Sequence, residues 1–139
     1  MLAPARAEAS AGFLEWLERV DGDGRVFISV VAIHEIEKGI ALLEHKGAAA
    51  KAAGLKLWLA GLVTAYDDKI IPIDASAAAL AGQLEAKAIA AGHHPGMADA
   101  TIAGIAKVLN LVVVTHNTKH FAPFGIDAAT PEEAVRSAA

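Results

Sequence analysis

The chain contains no cysteine, which excludes a disulfide framework, thiol catalysis and cysteine-ligated zinc and fits a reducing compartment. It also lacks any excess of positive charge: 12 Lys and Arg stand against 16 Asp and Glu, a formal net charge of −4. No basic field of the kind that supplies non-specific affinity for nucleic acid is present, so any such chemistry has to be local, for example metal-mediated. No run approaches the roughly 18 apolar residues of a membrane span. The start, Met1 to Ala11, is too charged for the apolar segment of a signal peptide, and the chain reads as cytoplasmic with no membrane partner. There is no Gly-x-Gly-x-x-Gly, no phosphate-binding Gly-Lys-Ser/Thr loop and no Gly-x-Ser-x-Gly elbow, which removes support for hydride transfer, P-loop hydrolysis and esterase chemistry. His34-Glu35-Ile-Glu-Lys38 lacks the second histidine of a zinc protease helix. Asp21-Gly-Asp-Gly lacks the remaining ligands of a calcium loop.

What is present suits a helix-rich globular fold. The 139 residues fit one domain, 1–139, and 55% hydrophobic residues allow a sizeable core. Alanine accounts for 33 positions, and because it is the best helix former yet fills little volume, closely packed helices are expected. Periodicity predicts a helix over Glu8 to Val20 ending at Asp21-Gly-Asp-Gly, then a buried strand Val26 to Ser29 whose serine caps a helix from Val30 to about Glu44. A second helix, Ala48 to Tyr66, pairs with it as a hairpin, with Leu55, Leu57, Trp58, Leu59 and Leu62 available to pack. Ile70 to Ile73 reads as a strand, Asp74 caps a helix from Ala75 to Ala91 that stops at Gly92, and Met97 to Leu109 reads as another helix. Val112 to Thr115 is a buried strand. A short strand around Gly125-Ile126 and a last helical turn capped by Thr130, with Pro131 at its first position, complete the pattern. Strands alternating with helices predict an α/β fold with a parallel sheet and a site at the carboxyl ends of the strands, in preference to a mostly helical protein with incidental strands.

The informative acids lie on apolar stripes, because a carboxylate facing a core must be paired, neutralised or bound to a cation. Glu35 shares a stripe with Val31, Gly39 and Leu42, whereas Glu37 reads as a solvated partner of lysines such as Lys38. Asp99 falls in the first turn of its helix, on the side carrying Ile102, Ala103 and Ala106. A first-turn aspartate also serves as a dipole or capping residue worth about 0.3–1 kcal/mol, and a glutamate on a stripe also reaches outward as a boundary residue. Thr115-His-Asn-Thr-Lys-His-Phe121 follows the last buried strand, which sets Thr115 and Asn117 at the sheet's carboxyl edge as oxygen donors. Glu35, Asp99 and Asn117 offer only hard oxygen ligands, suited to Mg²⁺ or Mn²⁺ rather than zinc or copper. His93-His94 and His116 with His120 read as solvated loop histidines.

Three blocks, Phe27-Ile-Ser-Val-Val-Ala-Ile-His-Glu-Ile-Glu-Lys-Gly-Ile40, Met97-Ala-Asp-Ala-Thr-Ile-Ala-Gly-Ile-Ala106 and Val114-Thr-His-Asn-Thr-Lys-His-Phe121, resemble those of PIN-domain proteins, in particular the VapC and FitB-like toxins of toxin–antitoxin pairs. The resemblance spans Phe13 to about Gly125 with order and spacing kept. It implies a PIN-like three-layer α/β fold, a central parallel sheet flanked by helices, in a Mg²⁺- or Mn²⁺-dependent ribonuclease that is normally dimeric. It further implies Glu35 and Asp99 as metal ligands, Asn117 where many relatives carry a fourth acidic residue, Thr115 as the hydroxyl of the third block, and an antitoxin partner whose tail occludes the site. Relatives begin with a strand ending in Leu-Asp-Thr-Asn whose aspartate binds metal. Nothing here matches it, and Glu8, Asp21 and Asp23 fall at the wrong distance from the Phe27 block to replace it. The first strand is therefore expected to be missing, through a downstream start, truncation or degeneration, and this 139-residue form is expected to bind Mg²⁺ poorly and cleave RNA weakly. The rival readings are a non-catalytic degenerate PIN module for dimerisation or antitoxin binding, and an α/β signalling domain with an unrelated acidic pocket.

Overall fold

A computed structural model describes residues 26–130, 132 and 133 of the chain. Strand β1 is short, Ile28–Ser29, and fully buried. It ends where Ser29, in extended conformation, accepts the Ala32 N–H on its Oγ at 3.1 Å, satisfying one of the unpaired donors that open helix α1, Val30–His45. Gly47 takes a left-handed φ of 84° and turns the chain into α2, Ala49–Ala65, which packs antiparallel to α1. The two helices meet through Ile40, Ala52 and Leu59, flanked by Ile36, Leu43, Leu55 and Leu62. Leu57 and Trp58 do not join this seam and stay exposed, because a single stripe of α2 reaches α1.

Strand β2, Ile70–Ile71, leads to α3, Ala75–Ala90, whose first turn is capped by Asp74 Oδ1 accepting the Ala77 N–H at 2.8 Å. Gly92 at φ 91° stops it, and α4, Met97–Leu109, follows and ends at Asn110 in the left-handed conformation. Strand β3 is Val113–Val114 and β4 is Ala128–Ala129. Both strand pairs are parallel: Ile28 faces Ile70 in β1–β2, and Val113 faces Ala128 in β3–β4. With helices carrying every connection from β1 to β3, the architecture is α/β as expected.

The last strand lies at Ala128–Ala129 rather than at Gly125–Ile126. Gly125 has φ 65° and closes the short turn Ala122–Phe124, which bars it from an extended strand. Thr130 caps as predicted: Glu133 N–H donates to Thr130 Oγ1 at 3.1 Å while Glu133 Oε1 reaches back to the Thr130 N–H at 3.4 Å, a reciprocal capping box. The expected helix Glu8 to Val20, the Asp21-Gly-Asp-Gly turn, the question of the first strand, and Pro131 lie outside the described residues.

The main core joins α3 and α4 to the sheet, through Ala77, Leu84, Ala88, Ile102, Ile105, Val113, Phe121 and Phe124, with Val31 of α1. The alanine richness serves this contact. At Gly104 a Cβ would sit 2.6 Å from the Ala77 carbonyl oxygen and 2.9 Å from Ala81 Cβ, so α3 and α4 approach at backbone distance. Both obstacles belong to rigid helix atoms. Gly104→Ala is therefore expected to destabilise the chain by about 1–3 kcal/mol despite alanine's higher helix propensity, read as a lower urea midpoint at unchanged slope. An unchanged or raised midpoint would contradict the close approach.

Candidate functional site

Beyond the carboxyl end of β1, the second turn of α1 carries Glu35, and the first turn of α4 carries Asp99. Helix α4 has no side-chain cap, its N-cap being Gly96, so Asp99 is the acid nearest the positive end of that helix. The two carboxylates come from segments 64 positions apart in the chain and line one open cleft of about 810 Å³. Val30, Val31, His34 and Lys38 of α1 form one wall; Gly96, Met97, Ala98, Thr101 and Ile102 form the other, with Ile73 at the rim.

Each acid is met by basic groups of the same chain. Glu35 Oε2 lies 2.9 Å from Lys38 Nζ and its Oε1 lies 3.5 Å from His34 Nδ1. Asp99 Oδ2 lies 3.6 Å from His120 Nδ1. Partial burial pushes the Asp99 carboxyl above the ordinary aspartate range; His120 opposes the shift and the negative charge of Glu35 adds to it. The Glu35 contribution is the electrostatic sign that the two acids share one site.

Sequence spacing alone assigned Lys38 to Glu37. The ammonium instead reaches Glu35, because side chains three apart on a helix share a face and adjacent ones diverge. Spacing also missed His120, read as a solvated loop histidine. It is half exposed but held beside Asp99 by the turn Thr118–His120, whose closing bond runs from the His120 N–H to the Asn117 carbonyl at 3.0 Å. Thr115 and Asn117 precede that turn and do not line the cleft. Thr115 Oγ1 accepts the Asn117 N–H at 3.1 Å, and Asn117 is exposed. They shape the loop that carries His120.

Among the described residues no group of three or more His, Asp or Glu side chains could hold a metal ion. Two carboxylates facing one cleft nonetheless fit a small hard cation, since Mg²⁺ commonly takes one or two protein carboxylates and completes its octahedron with water and substrate oxygens. A cation would also relieve the cost that partial desolvation and Glu35 impose on ionised Asp99. The donor set fits, as a weak site. Among the described residues no helix is long and apolar enough to cross a membrane.

A family model described as PIN domain matches residues 2–124. No curated protein matches the chain. Among solved structures, the chain is similar to the crystal structure of FitAcB from Neisseria gonorrhoeae, with 25% identity over 94% of this chain and 96% of that one and a TM-score of 0.74. It is similar in fold to the structure of FitAB bound to an IR36 DNA fragment, with 24% identity over 94% and 93% of the two chains and a TM-score of 0.74. The α/β fold described above is thus PIN-like.

The site makes a pH prediction. A folded-state value raised above the usual 3.8 means that the native chain holds the Asp99 proton more tightly than the unfolded chain, so this group's contribution to stability falls as pH rises from 3.8 through the raised value. Carboxyl-detected NMR titration should show the Asp99 midpoint above the ordinary range, lowered by Glu35→Gln and raised further by His120→Ala. A midpoint indifferent to Glu35→Gln would place the two acids too far apart to share an ion.

Proposed function

The chain belongs to the PIN-domain family, and on that premise we propose that it is a cytoplasmic, metal-dependent ribonuclease, the toxin component of a toxin–antitoxin pair. The observation that carries this reading is the meeting of Glu35 from α1 and Asp99 from α4 in one cleft beyond the carboxyl end of β1. Glu35 and Asp99 would hold Mg²⁺ or Mn²⁺, which when bound polarises a phosphodiester and lowers the pKa of a water poised to attack it. Both carboxylates are partly withdrawn from solvent, the Glu35 side chain 26% and the Asp99 side chain 32% exposed. Thr115 accepts the Asn117 N–H and so shapes the loop after β3, and the exposed Asn117 amide would serve as an orienting donor for the substrate. Lys38 gives the cleft of an otherwise acidic chain a local positive charge, and His34 and His120 add ring N–H groups, a set suited to contacting a phosphate backbone. Water adds at phosphorus and the P–O bond to the leaving ribose oxygen breaks.

The same proposal includes an antitoxin protein as partner, which family membership and likeness to FitAcB support, and a homodimer as the working form. One observation favours a second reading, a PIN module without catalysis. The described residues bring two acids together rather than three or more metal-binding groups, and both meet basic groups of the chain itself.

Incubation of the chain with single-stranded RNA at millimolar Mg²⁺ or Mn²⁺ separates these readings. Cleavage that EDTA stops and that Asp99→Asn and Glu35→Gln each reduce by about 100-fold or more supports the enzyme, since losing a direct ligand should cost at least as much as losing a group that only orients one, about 10–100-fold. No cleavage at any metal concentration, with the fold intact by circular dichroism, supports the non-catalytic module.

A further inference from the structure

Among the described residues the acid on α1 has two basic partners and the acid on α4 one. Both carboxylate oxygens of Glu35 face basic groups of its own helix: Lys38 Nζ at 2.9 Å from Oε2 and His34 Nδ1 at 3.5 Å from Oε1. Among the described residues Asp99 pairs with His120, from the loop after β3, at 3.6 Å. Lys38 lines the cleft, and its side chain is 55% exposed against 26% for Glu35. A flexible ammonium tethered one helical turn away is thus parked on the more buried partner, at the mouth of the cleft.

A divalent ion and an ammonium make the same demand on a carboxylate. Each needs the oxygen lone pairs, and each repels the other at contact distance. We infer that Lys38 is a built-in competitor for the divalent ion: it occupies the Glu35 oxygen that the ion needs, so the ion enters as the ammonium leaves. This rests on the reading of Glu35 as a metal ligand given above. The pair is exposed enough to be exchangeable, so it sets the affinity of the site rather than closing it. A phosphate backbone in the cleft offers the displaced ammonium another anion. Metal and polyanion then favour each other's binding by reciprocal coupling.

Binding of Mn²⁺, followed by the electron paramagnetic resonance of the free ion, tests this without recourse to activity. Lys38→Met should bind Mn²⁺ about three- to tenfold more tightly than the natural chain, while Lys38→Arg, which keeps the charge, should not gain. Lys51→Met, in the first turn of α2 at the other end of the hairpin, alters net charge equally and should leave affinity unchanged. Circular dichroism checks that each variant folds. Affinity of Lys38→Met within about twofold of the natural chain, or no binding by that variant, overturns the competitor. If in that case Glu35→Gln and Asp99→Asn still abolish the natural chain's Mn²⁺ binding, the ligand reading survives alone; binding that both of these variants leave intact overturns the two together.

Discussion

Two negative charges, contributed by helices that follow different strands, are held at one partly desolvated cleft, and the surrounding architecture is what keeps them there. Glu35 is placed by the register of α1, which Ser29 starts at the end of a buried strand. Asp99 is placed by the start of α4, whose inner face is locked to α3 at backbone distance through Gly104 and Ala77. Neither helix can shift without cost, because Val31, Ile102 and Ile105 are buried in the same core that seats the sheet. The like charges do not relax apart: the Asp99 carboxyl is raised first by its partial burial, against the opposing His120, and to a smaller degree by repulsion from Glu35. Such an arrangement stores a demand for positive charge, which the chain meets in part with Lys38 and His120.

Much of the fold was legible because its signals are local. Ser29, Asp74 and Thr130 read as caps and are caps, each with an acceptor oxygen on the N–H three residues later. Helix α4 begins and ends where the apolar period predicts, since a polar Asn110 follows the stripe and takes the left-handed conformation that ends it. Long-range consequences were less legible. Ala128–Ala129 carries no strand signature and becomes a strand because Val113 and Val114 need parallel partners. Helix α2 is apolar on several sides, so its sequence does not say that Leu57 and Trp58 stay in solvent.

At the site, the acids were readable and their partners were not. A carboxylate on an apolar stripe marks itself by its improbability, which is why Glu35 and Asp99 could be singled out. His120 looks like any loop histidine until the turn anchored by Thr115 and Asn117 carries it beside Asp99. Its neighbours shape the turn, but nothing in them says that the turn lies against the start of α4. Lys38 was visible but given to the wrong acid, an error of helix face rather than of chemistry.

Whether Glu35 and Asp99 together take one divalent ion, as proposed, is read by amide NMR during a Mn²⁺ titration, since paramagnetic broadening maps the ion's position. Signals of Glu35, Ile36, Asp99 and Ala100 should broaden first and together. Broadening centred elsewhere, for example at Asp67 and Asp68 after α2, or at only one of the two helices, would contradict it.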